Sequence, residues 1–383
     1  MISIIVAYRN RDAKRVKFFF DSLEKQTNTN FEVVFIDNGS ETNIADEIRG
    51  IVEQYSFVTY LYHDTRGKEW NRCIALNIAV QYAKGEYISI TDIDLMYHPQ
   101  YVEELYKIVS LDSQIFTRVL MVDQSFTNYE LIFSYASVPG ELCHTSGKGI
   151  VTFSKKIFNE IGGYDEYYSD WGVEDNDMYI RLKAYGLNEI WLNHEITPVY
   201  HQWHISRDNF ARYPDKWHDD IAFHYIINQK NPIRVNPIPQ VIPIDTRQIL
   251  YKFHANIPEI IVEPVGFLTA KTLFYRNVWD YIVDTNIEFF KLIVPKFEIP
   301  KLSIIQTFVF RFFSFILKSI HSPFSLEYFQ KRERHTYFLP EKDMQWYMRK
   351  LIKDTDTIED YYIVENEKET IYYIQSKCDK VTK

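Results

Sequence analysis

The feature that most constrains the fold is an alternation of apolar runs and amphipathic segments in the first quarter of the chain. Runs rich in β-branched and aromatic residues predict strands at residues 2–7, 31–37, 57–62 and 87–91. Between them, apolar residues recur every three or four positions, which predicts helices around residues 16–23, 44–55 and 74–82, the last closed by Gly85 as its C-cap. This alternation is typical of an α/β fold with a Rossmann-like, mainly parallel sheet flanked by helices.

Polar side chains follow three of these predicted strands at the point where each strand ends. Arg9 follows the first strand, Asp37 ends the second, and Asp92-Ile93-Asp94 follows the fourth. Ligands of open α/β sheets bind beyond the carboxyl ends of the strands. We therefore expect these residues to line one ligand-binding crevice.

Charge and cysteine content exclude several classes of protein. The 383 residues carry a net charge of −9, which argues against a nucleic-acid binder because such proteins need a basic surface. The three cysteines form no CxxC pair, so neither a disulfide framework nor a zinc site is expected, and a reducing compartment is favoured. The first seven residues are typical of a strand rather than a signal peptide. We expect a cytoplasmic protein.

The Asp92-Ile93-Asp94 motif is a candidate metal site. Its two carboxylates lie two residues apart at a strand end and point to the same side. Hard oxygen ligands suit Mg²⁺ or Mn²⁺, and such an ion stabilises the charge of a departing diphosphate. A solvated acidic turn is the alternative, since two aspartates at this spacing are common. The apolar strand before the motif favours the metal site.

A second motif, residues 171–177, opens a helical pattern that ends at Gly186. Acidic residues in a first helical turn can simply complement the helix dipole. Alternatively, one of these carboxylates takes the proton from an acceptor hydroxyl as it attacks. The indole of Trp171 then offers a flat apolar face to a sugar ring, and Gly172 lets that ring approach the backbone. The combination is more specific than the paired aspartates, and we favour the second interpretation.

Two histidines, His201 and His204, follow a strand predicted at residues 189–193. A single histidine is more often a packed core residue, but neutral imidazoles also complete the coordination of a borderline ion such as Mn²⁺. With the paired aspartates upstream, the metal interpretation is favoured. Whether both histidines bind the ion stays open at this point. The turn at Gly162-Gly163 is interpreted mainly as a helix stop.

Beyond residue 215 the chain carries little recognisable chemistry. Four prolines between residues 232 and 243 indicate an extended connector, and we divide the remainder into a connector region at 216–300 and a mainly helical region at 301–383. Residues 304–320 form an apolar helical face interrupted by Arg311, which argues against a membrane-spanning helix. A core helix is favoured over one that lies on a membrane surface.

Together these residues resemble the β-1,4-galactosyltransferase family and the related chondroitin-polymerizing enzymes, which have the GT-A fold. The resemblance covers roughly residues 1–210. It implies a GT-A catalytic domain over residues 1–215 with an α-rich C-terminal extension. It also implies nucleotide-sugar contacts by seven residues: Ala7, Arg9, Arg11, Asp37, Trp70, Arg72 and Asp92.

The same resemblance assigns the chemistry. Asp94 and His204 match the metal ligands, Asp175 the catalytic base, and Trp171, Gly172 and Glu174 the acceptor-binding block. His201 stands where the animal enzymes commonly have a thioether. Because imidazole is a harder ligand, we expect a broader metal tolerance, with Mg²⁺ working alongside Mn²⁺.

The predicted function is that of an inverting, metal-dependent glycosyltransferase. It moves a hexose or N-acetylhexosamine, galactose-type favoured, from a UDP-sugar to a hydroxyl of a glycan or lipid-linked oligosaccharide. Bacterial surface-polysaccharide synthesis at the inner face of the membrane, with peripheral contact through the C-terminal region, is the expected setting. The alternatives are another donor sugar (GlcNAc, GalNAc or glucose) and, less favoured, a non-catalytic glycan-binding protein.

Overall fold

The computed structural model of this chain describes residues 1–126, 128–133, 138, 140–143, 150–169, 173–204, 220–221, 223–226, 233, 257–261, 288–295, 348, 350–351, 353 and 358–376. The chain divides into two compact units. The first unit comprises residues 1–209 and 218–247, and the second comprises residues 210–217 and 248–383. The prolines of the predicted connector and the amphipathic segment at 304–320 lie outside the described residues.

The described part of the first unit contains eleven strands in two sheets. Their bounds are β1 Ile2–Tyr8, β2 Phe31–Asp37, β3 Val58–Tyr62, β4 Tyr87–Thr91, β5 Leu95–Tyr97, β6 Ser113–Phe116, β7 Val119–Met121, β8 Glu141–Leu142, β9 Val151–Ser154, β10 Asn188–Trp191 and β11 Val199–His201. The larger sheet has the order β10-β6-β9-β4-β1-β2-β3, and the smaller has the order β5-β11-β7-β8. Only β9 runs antiparallel to its neighbours in the larger sheet. The predicted mainly parallel α/β fold is confirmed.

Seven helices are described in the first unit. They are α1 Ala13–Glu24, α2 Thr42–Val52, α3 Arg72–Tyr82, α4 Tyr101–Ile108, α5 Glu130–Phe133, α6 Lys155–Glu160 and α7 Glu174–Tyr185. Local signals start and stop them: Asp12 and Asn71 accept hydrogen bonds from the backbone N–H three residues on. Gly186 ends α7 in the left-handed conformation, as its position in the sequence predicts.

The prediction that Gly85 caps α3 is wrong. The helix ends at Tyr82, and Ala83 is its C-cap. Gly85 is needed because the chain passes close to β1: a Cβ there would lie 2.7 Å from the carbonyl oxygen of Met1. Its N–H donates to the hydroxyl of Ser3 at 2.8 Å.

The core of the first unit forms where α1, α2 and α4 pack on the parallel sheet. Side chains of β1 and β2 that point to this face are buried, among them Ile4, Val33 and Phe35. They meet the apolar stripe of α1, which includes Phe19 and Phe20. Burial of both faces of β1 and β2 explains why these strands are almost continuously apolar. Their rigid backbones set the positions of the loops that follow them.

The second unit contains a four-stranded sheet among its described residues. The strands are β12 Glu259–Ile261, β13 Phe289–Pro295, β14 Ile358–Glu365 and β15 Glu369–Ser376, in the order β12-β13-β15-β14. Met348 and Leu351 pack on one face of this sheet. The expectation of a mainly helical region at 301–383 is therefore wrong for residues 358–376, which form an antiparallel hairpin. The alternation of buried and partly exposed side chains along β15 has the two-residue period of a strand.

Within the described part of the chain, no helix combines the length and the apolar run that crossing a membrane requires.

Candidate functional site

The carboxyl ends of β1, β2 and β4 lie side by side, as the sequence predicts. Tyr8 is paired with Asp37 across β1 and β2, and Val6 with Thr91 across β1 and β4. Arg9, Asp37 and the motif at residues 92–94 therefore follow three adjacent strands on one edge of the sheet. We call this the catalytic edge.

Three candidate metal ligands converge at the catalytic edge. The Oδ2 atom of Asp94 lies 3.5 Å from Nε2 of His201 and 3.3 Å from Nε2 of His204. The ligand atoms of all three residues lie within 4.8 Å of one another. One carboxylate oxygen with two imidazole nitrogens is a donor set that suits a borderline ion such as Mn²⁺. The predicted set of metal ligands is thus brought together by the fold.

The backbone explains why residues more than a hundred positions apart meet here. The short strand β11 pairs with β5 so that His201 stands opposite Leu95, the residue after Asp94. The N–H of Gln202 then donates to the carbonyl oxygen of Asp94 at 2.8 Å. Strand register therefore places His201 beside Asp94, so the backbone alone brings the two side chains close together.

Electrostatics favour an ionised carboxylate at Asp94. Burial raises the pKa of this group, but the hydrogen bond from His204 and the charges of His201, His204 and Arg15 outweigh it. The pKa of Asp94 is therefore below its ordinary value. An ionised carboxylate is the form that binds a divalent cation.

Arg72 joins the aspartate motif to the candidate base. Its Nη2 donates to Oδ1 of Asp92 at 3.0 Å, and its Nη1 donates to Oδ1 of Asp175 at 2.7 Å. The Arg72 side chain is 11% exposed, so it is largely withdrawn from water. Arg72 stands at the start of α3 and Asp175 in the first turn of α7. The rigid fork of a guanidinium suits this double contact.

Two carboxyl groups at this edge hold protons more tightly than usual. Burial raises the pKa of Asp92 to about 6; the charge of Arg72 lowers it, and the charges of Asp94 and Asp175 add to the rise. Burial and the charge of Asp175 raise the pKa of Glu174 to about 8. The Oε2 atom of Glu174 is buried with no hydrogen-bond partner among the described residues. Glu174 is thus held mainly as a neutral acid at pH 7.

Asp37 lies in a network that joins the loops after the first two strands. It accepts hydrogen bonds from the N–H of Ser40 at 2.9 Å and from the hydroxyl of Tyr60 at 3.3 Å. Burial raises the pKa of Asp37 to about 6, although these bonds and the charge of Arg9 partly oppose the rise. Arg9 contacts the segment between β3 and α3, where its Nη1 donates to the carbonyl oxygen of Lys68 at 3.1 Å.

The remaining predicted nucleotide contacts lie around this network. Ala7 is half-buried near the end of β1, and Arg11 lies three residues after that strand ends. Trp70 is partly exposed and lies two residues before α3. Sequence reasoning did not single out His63, which follows β3 directly. Its Nδ1 lies 2.8 Å from Oδ1 of Asn38, and burial lowers its pKa. Its place directly after a predicted strand was the available signal.

The turn at Gly162-Gly163 is more than a helix stop. Both glycines have positive φ angles, and a Cβ on Gly163 would lie 2.6 Å from Oδ1 of Asn77. Arg181 is fully buried and donates to Asp177 at 2.8 Å and to the carbonyl oxygen of Gly163 at 2.6 Å. Asp177, predicted as part of the acceptor block, is therefore a structural partner that fixes α7 to this turn. The spacing of Asp177 and Arg181, four residues apart, was the sequence signal for it.

Two of the predicted acceptor-binding residues, Trp171 and Gly172, lie outside the described residues. Of the predicted site, the structure thus places the base Asp175, the neighbouring Glu174 and the three metal ligands on the same edge.

Two family models match successive parts of this chain. The model for Glycosyl transferase family 2 matches residues 3–145, and the model for the N-terminal domain of galactosyltransferase matches residues 128–205. The first match contains Arg9, Asp37 and the aspartate motif at residues 92–94. The second contains Asp175, His201 and His204.

Several curated proteins are similar to part of this chain. The chondroitin synthase of Escherichia coli is 24% identical over 249 residues, which cover 54% of this chain and 35% of that protein. An uncharacterized glycosyltransferase of Haemophilus influenzae is 27% identical over 194 residues, 48% of this chain and 62% of the relative. Human β-1,4-galactosyltransferase 4 is 26% identical over 135 residues, 34% of each chain. The chain thus spans between 34% and 62% of the length of these relatives.

Solved structures show a weaker likeness. A mannosyltransferase from Pyrobaculum calidifontis in complex with GDP-Man and Mn²⁺ is 20% identical with a TM-score of 0.40, covering 59% of this chain and 64% of its own. GalNAc-T7 with UDP, GalNAc and Mn²⁺ is 15% identical with a TM-score of 0.41, covering 54% and 43% respectively.

Residues 3–205 thus match two glycosyltransferase family models in succession, and the resemblance to family 2 and galactosyltransferase-type enzymes drawn from the motifs is confirmed. Within that class, the segment that carries the candidate base and both histidines is galactosyltransferase-like.

Proposed function

We propose that this chain is an inverting, metal-dependent glycosyltransferase. It transfers a hexose or N-acetylhexosamine, with a galactose-type sugar favoured, from a UDP-sugar to a hydroxyl of a glycan. One observation carries the proposal: Arg72 ties the candidate base Asp175 to Asp92, which stands two residues from the metal ligand Asp94. The groups for leaving-group departure and for acceptor activation thus share one edge.

Asp94, His201 and His204 would hold a divalent ion, with Mn²⁺ as the first candidate and Mg²⁺ as the second. Their donor atoms are close enough to meet at one ion, and Asp94 is ionised. Such an ion, when bound, neutralises charge on the diphosphate as the glycosidic bond breaks. Asp94 belongs to the loop after β4 and the histidines to the end of β11 and the residues beyond it, so two separate segments orient the donor.

Asp175 would take the proton from the acceptor hydroxyl as it attacks the anomeric carbon. Single displacement by that hydroxyl, on the face opposite the departing diphosphate, inverts the configuration. Arg72 fixes the carboxylate of Asp175 before the acceptor arrives. Glu174, neutral at pH 7, can donate a hydrogen bond to an acceptor oxygen, which an ionised carboxylate cannot.

The nucleotide would lie along the loops after β1 to β3. We assign it Ala7, Arg9, Arg11, Asp37 and Trp70, because these residues lie near the carboxyl ends of β1 and β2 or in the segment between β3 and α3. We also assign Arg72 and Asp92 to the nucleotide-sugar; Arg72 contacts both Asp92 and the candidate base Asp175.

Polysaccharide synthesis is the setting we propose, with a glycan or lipid-linked oligosaccharide as acceptor and a cytoplasmic location at the inner face of a membrane. The chondroitin synthase relative supports a polymer product. Another donor sugar, such as GlcNAc, GalNAc or glucose, is the main alternative. A non-catalytic glycan-binding protein is disfavoured because mere binding needs neither the metal ligands nor the base.

A donor panel tests the proposal without knowledge of the acceptor. UDP-galactose, UDP-glucose, UDP-GlcNAc and UDP-GalNAc are incubated with the protein and Mn²⁺, and release of UDP is measured. We expect slow hydrolysis of one or two donors that stops when the metal is chelated. Hydrolysis that continues at the same rate in chelator would contradict the metal assignment.

A further inference from the structure

A histidine outside both family matches contacts the loop that leads into the acceptor block. His224 lies in a helical segment of the first unit whose described residues are 220–221 and 223–226, beyond the last residue matched by either family model. Its Nε2 lies 2.7 Å from Oδ2 of Asp165, whose side chain is 7% exposed. The imidazole also stacks on the ring of Tyr167, with 3.9 Å between centroids and 16° between planes.

Both carboxylate oxygens of Asp165 make contacts. Its Oδ1 accepts from the N–H of Tyr167 at 3.0 Å, and its Oδ2 faces His224. The ring of Tyr168 meets the same imidazole edge-on, with 5.6 Å between centroids. One imidazole thus contacts three residues of the loop at residues 164–169, by a hydrogen bond, a parallel stack and an edge contact.

The other contacts of this loop reach both helices of the catalytic edge. Asn77 of α3 donates to the carbonyl oxygen of Tyr164 at 2.9 Å, and Asn71 donates to that of Glu166 at 2.9 Å. The hydroxyl of Tyr168 donates to Asp177 of α7 at 3.2 Å. The loop is therefore held between α3 and α7, and His224 holds it from a third element.

None of these contacts involves the metal ligands or Asp175 itself. Asp94 and His201 are placed by strand register, and Asp175 is held by Arg72. A change at His224 should consequently disturb the loop at residues 164–169 more than it disturbs the metal ligands.

We propose that His224 is a positioning residue that sets the acceptor-binding loop at residues 164–169, so that the segment after residue 205 contributes to acceptor selection. This inference rests on the proposed transferase function. The ligand that it concerns is the acceptor glycan, recognised beside Tyr167.

The test compares His224→Ala, His224→Gln and the control Ile226→Ala in the full-length chain. Ile226 lies on the same helical segment and is 53% exposed. Gln keeps an N–H that can donate to Asp165. Transfer to p-nitrophenyl glycosides of galactose, glucose, GlcNAc and GalNAc is measured with the best UDP-sugar, together with UDP release in the absence of acceptor.

We expect His224→Ala to raise the acceptor KM about tenfold or more, since a hydrogen bond to a charged group is lost. His224→Gln should recover part of that loss, and acceptor-free UDP release should stay within about twofold, a change of no more than ~0.4 kcal/mol. An unchanged acceptor KM, or equal loss of transfer and acceptor-free hydrolysis in both His224 variants, overturns the proposal.

A second readout needs no activity. Hydrogen exchange of the amides at residues 164–169 should accelerate in His224→Ala and not in Ile226→Ala, while exchange within α7 stays unchanged. Unchanged exchange at the loop overturns the inference even if the enzyme is active. If the wild-type chain releases UDP from no donor, the proposed function fails, and the exchange measurement still reports on the contact itself.

Discussion

The two sides of the catalytic edge are held in place by different means. On the metal side, Asp94 and His201 are set by the pairing of β5 with β11, and the backbone N–H of Gln202 closes on the carbonyl of Asp94. On the base side, Asp175 stands in the first turn of a helix, and its described ion pair is with Arg72. The metal side is thus specified by backbone register, whereas the base side depends on one long side chain.

This difference predicts how each side responds to mutation. A ligand removed from the metal side should abolish metal binding and leave the strands in place. A change at Arg72 should release Asp92 and Asp175 together, because both contact the same guanidinium.

The largest effect is expected on the metal side. Asp94→Ala removes the carboxylate, and His204→Ala removes one imidazole. Activity should fall by about three orders of magnitude or more, because the ion supplies several kcal/mol of transition-state stabilisation. Mn²⁺ titration by calorimetry measures binding, with His194→Ala as the matched histidine control outside the cluster. Tight Mn²⁺ binding by Asp94→Ala would contradict the ligand assignment.

On the base side, Asp175→Asn should separate binding from transfer. The amide cannot accept the proton, so transfer should fall by roughly 10²–10⁴-fold. Affinity for Mn²⁺ and UDP should stay near that of the wild-type chain, because Asp175 is not among the metal ligands. Asp112→Asn, at an exposed turn, is the control. Near wild-type transfer by Asp175→Asn would remove the base assignment.

Arg72→Lys tests the difference between the two sides because it keeps the positive charge but removes the planar guanidinium group. An ammonium group is a point charge and cannot hold Asp92 and Asp175 in the same paired geometry. We expect kcat to fall about tenfold while Mn²⁺ affinity changes by less than about twofold, since one good charged contact corresponds to about 1.5–3 kcal/mol. Equal losses of metal affinity and kcat would show that the two sides are not independently held.

Asp37 should make the free energy of unfolding depend on pH. Burial raises the pKa of Asp37 from 3.8 to about 6, so the folded chain binds this proton more tightly than the unfolded chain does. The resulting stabilisation is complete below pH ~4 and is lost as the pH rises through ~6. From well below pH 4 to well above pH 6, the wild-type free energy of unfolding should fall by about 3 kcal/mol more than that of Asp37→Asn.

Chemical denaturation across this pH range, without nucleotide, measures the difference. Asp46→Asn, an exposed carboxylate on α2, is the control and should keep the wild-type slope. A slope in Asp37→Asn that equals the wild-type slope would assign the pH dependence to other groups.

The smallest effect concerns metal choice. His201→Met replaces a harder ligand by a softer thioether, so activity with Mg²⁺ should fall several-fold more than activity with Mn²⁺. The ratio of the two rates, measured at saturating metal, reports this directly. Equal loss with both metals would show that His201 does not set metal tolerance.

Much of the fold was predictable because the early strands and helices carry strong local signals. The run at residues 31–37 and the run at 87–91 are strands with the predicted bounds, and Gly186 ends α7 as expected. The polar residues after β1, β2 and β4 could be placed together because parallel strands share their carboxyl edge. The metal ligands required the family resemblance as well.

Contacts between distant side chains could not be predicted. Nothing in the residues around Arg72 indicates that it bridges Asp92 and Asp175, since that depends on where α3 and α7 begin in space. The pairing of His224 with Asp165 is non-local for the same reason. The hairpin at residues 358–376 was missed because the expectation of helices was extended from residues 304–320 to the whole C-terminal region.

The most direct test of the central claim is release of UDP from the donor panel by the wild-type chain with Mn²⁺, beside Asp94→Ala. The account predicts that the wild-type chain hydrolyses at least one UDP-sugar only when the metal is present, and that Asp94→Ala does not. Release of UDP at equal rates by both proteins, or by neither with any donor, would contradict it.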